Sequence, residues 1–389
     1  MLELLLTEYQ QNPWAVYMFW GLSVFYVILI TPLIVGFLRT PNQPPRLLDD
    51  SELPMVTVLV SARNEEQDFP DCIASVRALD YPVEKLQIIL VDDNSDDSTG
   101  RLVDEIAAAD ERVLALHSRD MPPTRLQAKA RGIFWGMKHA TGEWVFITDA
   151  DARVPATWLR HMLSHARPDT GMLGGALYVM DTGWVSRFER ASWAFTQMFN
   201  LGLSGLGIPF ACLGPNMAIK RSIYEEAGGL ENVDFSIAED LALMKMVVHH
   251  KAGIINVVSA ETVAALRPVP SYKHLLSQQR RWFRGGIDNE VEYQLFLWIF
   301  FGYAVVYGLF MLFGWIFSLP FFLLFHAVNV VVDLSYFYLQ KKRFGLSEHL
   351  RYAFWAHAHK VIIFLLLTPS FLMTRRARWM GDGYEEVYD

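Results

Sequence analysis

The chain has 389 residues, 34 basic against 42 acidic for a net charge of −8, and is 52% hydrophobic with only 20% charged residues. With 26 Phe, 15 Tyr and 12 Trp it is neither a disordered chain nor a small disulfide scaffold, and its two cysteines, Cys72 and Cys212, suit a reducing compartment. The acidic excess sits in residues 39–294, with 26 basic against 34 acidic, which argues against a nucleic-acid binder because such a protein needs a basic face.

The first predicted element is residues 14–38, 25 positions without a charge. At ~1.5 Å per residue such a helix can cross a bilayer. The residues before it are acidic rather than basic, so it reads as a retained anchor and not a cleaved signal peptide. From 54 to 170, short β-rich runs alternate with helical ones, the pattern of an α/β sheet. Strands are expected at 56–60, 86–91 and 144–148. Helices are expected at 69–79, at 95–109 behind capping Ser and Asp residues, and at 125–139. Pro155 suits the first turn of another helix.

Open α/β sheets gather ligands at the carboxyl ends of their strands. Three such ends carry polar clusters: Ser61-Ala62-Arg63-Asn64-Glu65, Asp92-Asp93-Asn94 and Asp149-Ala150-Asp151. No Gly-x-Gly-x-x-Gly or Walker pattern follows the first strand, so phosphates must be met by another device. Asp149 and Asp151 offer hard oxygen ligands for Mg²⁺ or Mn²⁺ bridging to a diphosphate. A lone Asp-x-Asp is more often a solvated turn; its place beside the two other clusters favours the ligand site.

Further along, Trp184, Phe188, Ala191, Phe195 and Met198 form a helical stripe, with Arg187, Glu189, Arg190, Gln197 and Asn200 off it. This reads as an amphipathic helix, either core or interfacial. Glu239 and Asp240 open a helix, where the dipole favours ionised carboxylates, although capping alone accounts for them. Gln278, Arg281 and Trp282 share one face of a helix over 272–283, where a membrane-edge anchor is the plainer reading. Apolar runs at 295–319 and 321–339, with Pro320 between them, read as two more spans. Residues 352–373, interrupted by Pro369, read as a re-entrant or interfacial segment, with a fourth span the alternative. The flanking basic residues (Arg39 and Arg46; Arg280, Arg281 and Arg284; Lys341, Lys342 and Arg343) place the N-terminus outside and 39–294 in the cytoplasm. Arg375, Arg376 and Arg378 favour a cytoplasmic C-terminus. Asp333 lies inside the third span and needs a partner, expected to be Lys360, with His357 or His359 second; the alternative is that it lines a wet groove open to the polar strand ends.

Taken together, residues 56–284 resemble the catalytic domain of membrane-bound glycosyltransferase family 2, the subgroup of ceramide glucosyltransferases and processive polysaccharide synthases. The resemblance rests on four motifs in order: Asp92-Asp93, Asp149-Ala150-Asp151, Glu239-Asp240 and Gln278-x-x-Arg281-Trp282. It implies an α/β GT-A fold with a mixed nucleotide-binding sheet, helical membrane segments, and inverting transfer from a nucleotide-sugar, with a UDP-sugar the expected donor. By that carry-over Ser61, Arg63, Asn64, Glu65, Asp92 and Asp93 hold the nucleoside, with Asp93 at the base. Asp149 and Asp151 carry the metal, and Lys129 is either an added phosphate contact or a surface helix lysine. Asp240, beside Glu239, is the general base; Gln278, Arg281 and Trp282 line the diphosphate and the acceptor. Trp379, Gly381 and Tyr384 resemble a tail motif of the family, with Asp382 a departure from its usual basic residue. The expected organisation is an anchor at 1–40, a cytoplasmic catalytic domain at 41–290 with interfacial helices near 184–210 and 271–285, two spans at 291–340, and a membrane-associated segment and tail at 341–389. So few spans suit a lipid acceptor, taking one sugar, better than a polymer channel. A processive polysaccharide synthase is the alternative, and a non-catalytic membrane scaffold with a degenerate fold the remote one. Sequence alone leaves the oligomeric state open.

Overall fold

Strands that are apolar on both faces must be covered on both, and here helices supply the cover. The computed structural model describes residues 2–232, 239–287, 302, 305–310, 313–345, 377–379 and 382–384. Its N-terminal helices are α1 (Leu2–Gln11) and α2 (Pro13–Arg39). The main sheet has the order β3-β2-β1-β4-β8-β6-β9. Its strands are β1 (Val56–Ala62), β2 (Leu86–Asp92), β3 (Val113–His117), β4 (Trp144–Asp149), β6 (Thr170–Gly175), β8 (Met217–Lys220) and β9 (Gly253–Val257). The first four are parallel; β8 runs antiparallel to both β4 and β6, and β9 is parallel to β6. A small sheet of β5 (Ala152–Arg153), β10 (Ala264–Leu266) and β7 (Leu177–Val179) follows the Asp-x-Asp turn.

Along β1 the pleat sends Val56, Val58 and Val60 to one core with α3 (Phe69–Arg77) and α6 (Trp158–Leu163), and Leu59 to the other with α5 (Ala128–His139) and α9 (Glu239–His249). The expected strands and helices of 56–148 are all present. The helix expected from 95 starts at Thr99 as α4 (Thr99–Ala109), because residues 95–98 form a turn bound to the loop after β1. The helix expected from 125 starts at Ala128, whose φ of +48° is a left-handed bend.

The stripe helix is α7 (Trp184–Gly205), and it corrects one expectation. Its polar residues are not a solvated face: Glu189, Arg190, Gln197 and Asn200 are all at most 3% exposed, while Trp184 of the apolar stripe is 59% exposed. The buried polar groups find backbone partners. Gln197 pairs with both the N–H and the carbonyl of Leu177, Arg190 Nε donates to Val179 O, and Asn200 Oδ1 accepts the Ala211 N–H.

The other side of α7 meets α2 across glycines. A Cβ on Gly36 would lie 1.8 Å from Gly202 O, and one on Gly205 would lie 1.8 Å from Gly36 O, so the two backbones touch. Thr40 Oγ1 closes the seam by donating to Leu201 O at 2.8 Å. Gly36→Ala should therefore cost about 3 kcal/mol or more by overpacking. Gly21→Ala, with nothing within 4 Å of its Cβ, should be silent. Thermal melts in detergent test both, and equal melting temperatures would contradict the seam.

Helix α2 and the last long helix, called α11 below α10 (Tyr272–Ile287), are long and apolar enough to cross a membrane over Val16–Arg39 and Leu319–Phe344. Helix α11 (Leu319–Phe344) carries Pro320 in its first turn, where a missing N–H costs nothing. The Arg343 guanidinium donates to the carbonyls of Phe37, Leu38 and Thr40, capping the end of α2. Asp333 accepts a 2.6 Å hydrogen bond from Tyr26 Oη of α2. Its expected partners Lys360, His357 and His359 lie outside the described residues, as do residues 352–373 and most of 295–304. A short hairpin of β11 (Ala377–Trp379) and β12 (Asp382–Tyr384), with β11 beside α10, is the described part of the tail.

Candidate active site

The parallel register puts the three polar strand ends level: Ser61 pairs with Asp149, and Ala62 with Asp92. The loops beyond β1 and β2 are then tied together. The Asn64 N–H donates to Ser95 Oγ, the Glu65 N–H to Thr99 Oγ1, and Asn64 Oδ1 accepts the Asp96 N–H. Asn64 and Asn94 both sit at positive φ, 58° and 60°, a conformation Asn tolerates better than most residues. Ser61 faces α5 at Gly132, where a Cβ would lie 1.9 Å from its hydroxyl, so it sets the packing of that helix.

Asp92 and Asp93 divide the work. Asp92 is fully buried and engaged by the Ser95 N–H, His117 and Arg119, so its carboxylate builds the turn rather than facing a ligand. Asp93 takes Arg131 Nε at 2.6 Å on one oxygen. Its other oxygen, Oδ2, is buried with no hydrogen-bond partner among the described residues. Arg63 is half-buried in the same loop.

Asp149 ends β4 and Asp151 follows in the turn. Burial, then Asp149, pushes the Asp151 carboxyl up to about 7. Glu65 is pushed up to about 8 by burial and then by Asp151, Asp68, Asp149 and Asp97, which places it beside the pair. Lys129, at the start of α5, reaches 2.5 Å from Asp149 Oδ1 and 3.0 Å from Glu239 Oε1. Burial alone would lower its pKa, but the two carboxylates outweigh that and the net shift is upward. Lys129 thus joins the Asp-x-Asp turn to α9, a role that a lysine in a helical run does not announce.

Glu239 and Asp240 form the first turn of α9. Asp240 accepts the Gly214 N–H at 3.1 Å on Oδ2 and the Leu241 N–H at 2.8 Å on Oδ1. Burial, then Glu239, pushes its carboxyl up to about 6, with Lys129 and the two N–H groups opposing. A positioned carboxylate of that pKa can take a proton near neutral pH. Gly214 was not legible in advance; its signal is the Gly-Pro pair that turns the chain before β8.

Gln278 and Trp282 lie on α10 as expected, and the Trp282 ring packs edge-on against Trp193 of α7 with centroids 4.2 Å apart. Arg281 lies between them in the same helix, its side chain outside the described atoms. The loop before α10 is held at the Asp-x-Asp turn by the Arg267 N–H on Asp151 O, and by an ion pair of Arg267 with Asp68. Glu189, missed in the sequence, is buried beside Gln278 and Trp193. The structure thus brings the ends of β1, β2 and β4, Lys129 and the Glu239-Asp240 pair together at one end of the sheet, with Asp92 buried and Ser61 half-buried against α5.

Residues 57–228 match the model of Glycosyl transferase family 2, and residues 144–374 that of Glycosyl transferase family group 2. The chain is 26% identical over 91% of its length to a protein named Probable glycosyltransferase YdaM from Bacillus subtilis, covering 82% of that protein. It is 24% identical over 72% of its length to a beta-monoglucosyldiacylglycerol synthase from Synechocystis, and spans 58% of that relative's length. Its fold is similar to that of the mannosyltransferase PcManGT from Pyrobaculum calidifontis, solved in complex with GDP-Man and Mn²⁺. The TM-score is 0.57 and the identity 19%, covering 92% of this chain and 99% of that one.

Proposed function

We propose, for a chain that belongs to Glycosyl transferase family group 2, inverting, metal-dependent transfer of one sugar from a nucleotide-sugar to a lipid in the membrane. The observation that carries this reading is the convergence of Asp93, Asp149, Asp151, Lys129 and Asp240 at one sheet end, with α7 linking that end to a membrane-length helix. Synthases of monoglucosyldiacylglycerol among the relatives support a lipid acceptor, and GDP-Man with Mn²⁺ in the structural neighbour supports a diphosphate donor with a divalent cation.

Asp149 and Asp151 fit such a cation: both offer hard oxygens, and the raised pKa of buried Asp151 is that of a carboxylate short of positive charge. When bound, the cation neutralises charge gathering on the leaving diphosphate. The chain's own residues do the rest. The free Oδ2 of Asp93 accepts an N–H of the base, for which a UDP-sugar remains the expected donor. Asp240 takes the proton from the acceptor hydroxyl as that oxygen attacks the anomeric carbon from the face opposite the diphosphate. Arg281, from α10, adds positive charge as the leaving group departs. Trp282, packed on Trp193, lines the acceptor side.

Exposed Trp184, with its ring stacked on Tyr272 at 6.0 Å, suits the headgroup region, where an aromatic ring has one wet and one apolar side. The basic residues flanking α2 and α11 set the catalytic domain and the C-terminus in the cytoplasm of a multi-pass protein. A C-terminal tag should therefore be labelled only after cells are permeabilised; labelling of intact cells would reverse the topology. Purified protein given UDP-glucose or GDP-mannose and a lipid extract should yield a glycolipid visible by mass spectrometry. A lengthening polysaccharide would favour the processive reading instead.

A further inference from the structure

Among the buried titratable groups the mechanism leaves unused, Glu189 stands apart. It is 1% exposed, in the middle of α7, and accepts the Val269 N–H at 2.8 Å. The side chains of Trp193 and Gln278 face the same carboxylate and favour its charged form, against burial, the largest influence, and the field of Asp151, which together push it up to about 7. Val269 lies between Pro268 and Pro270, so it carries the one backbone N–H of that tripeptide. The segment joins Arg267, held at Asp151, to α10, which presents Gln278 and Trp282. Trp193, one turn beyond Glu189 on α7, is also the residue packed against Trp282.

We infer that Glu189 is a positioning residue for the acceptor side of the site, fixing the 268–270 segment and α10 to α7 so that Gln278 and Trp282 stand at a set distance from Asp240. The inference rests on the proposed transfer for its kinetic readout but not for its structural one. A carboxylate buried here has to gain something to be retained, since burial disfavours its charge and a leucine would fill the same space. What it gains is a polar tie between two segments that also meet through the rings of Trp184, Phe188 and Tyr272 and of Trp193 and Trp282. Because α7 is also welded to α2, the tie fixes the acceptor-facing helix relative to the membrane helix.

Three variants test this. Glu189→Leu removes the acceptor, Val269→Pro removes the donated N–H along with the valine side chain at a position already restricted to extended backbone by Pro270, and Glu189→Gln keeps an acceptor oxygen. Hydrogen exchange followed by mass spectrometry should show peptides from 268–287 exchanging at least about tenfold faster in Glu189→Leu and Val269→Pro, with β1, β2 and β4 unchanged and Glu189→Gln near wild type. Transfer to the lipid should fall about ten- to a hundredfold in the first two, while donor binding stays within about twofold, because a misplacement near 1 Å has that effect on a reacting pair. Unchanged exchange in Glu189→Leu and Val269→Pro overturns the inference, as does an equal loss of donor affinity. Wild-type protein that transfers nothing to lipid overturns the proposed function instead and leaves the exchange result to judge Glu189. If Glu189→Leu does not fold, Val269→Pro, which retains the carboxylate, decides the matter.

Discussion

Asp240→Asn should lower sugar transfer about 10²–10⁴-fold, the range expected for removing a general base, while nucleotide-sugar affinity changes by less than about twofold. Asparagine keeps one acceptor oxygen, for either the Gly214 or the Leu241 N–H but not both, so a thermal melt beside the assay checks that α9 stays folded. The amide cannot take the acceptor's proton. With the wild-type carboxyl held up to about 6 by burial and Glu239, activity should rise with pH through about 6, as the base ionises, and level off above it. Donor titration by calorimetry beside a transfer assay separates the two roles. An Asn variant that loses donor affinity as much as turnover would put Asp240 in the donor site.

Removing the divalent cation should have an effect of similar size. Transition-state charge stabilised by a metal is worth several kcal/mol, about 10³-fold in rate, and excess chelator should abolish transfer until Mg²⁺ or Mn²⁺ is restored. Asp151→Asn should be nearly inactive even with metal present, yet it should melt higher than wild type in chelator at pH 8. The sign follows from proton binding. The folded-state carboxyl titrates near 7 against an ordinary value near 4 when unfolded, so the folded state holds the proton more tightly. Stability from this group is therefore full below about pH 4 and is lost as pH rises through 7, whereas asparagine has nothing to lose. The melting difference should shrink toward pH 5. Full activity in chelator, or an Asp151→Asn protein that melts lower at pH 8, would contradict this account.

The parts of the fold legible in the sequence are those where one local pattern decides. Runs such as Val56–Ala62 and Trp144–Asp149 are apolar for several residues and then give way to polar or charged ones, and that break marks both the strand and its functional end. The short strands β5, β7 and β10, of two or three residues, carry no such pattern; they exist because neighbouring backbones pair. The helical stripe from Trp184 was visible, but its solvated polar face was not real, since periodicity cannot tell water from a strand edge as the partner of Gln197 or Arg190. For the same reason Glu189 is told apart from the other residues off the stripe only by its Val269 partner. Lys129 was ambiguous because its ion pairs come from β4 and α9, segments distant in sequence.

The glycine seam between α2 and α7 also dictates an order of assembly. Thr40 and Leu201, which hydrogen bond across it, are 161 residues apart, so α2 leaves the ribosome long before its partner exists. Until α7 arrives, the strip at Gly36 has no neighbour of its own chain, and a helix lacking that neighbour packs less tightly. Residues such as Phe37, Met198, Tyr336 and Phe344 then close into one apolar cluster shared by α2, α7 and α11. Helix α2 and the catalytic domain therefore share one buried face, which closes only when α7 is laid against a helix made first.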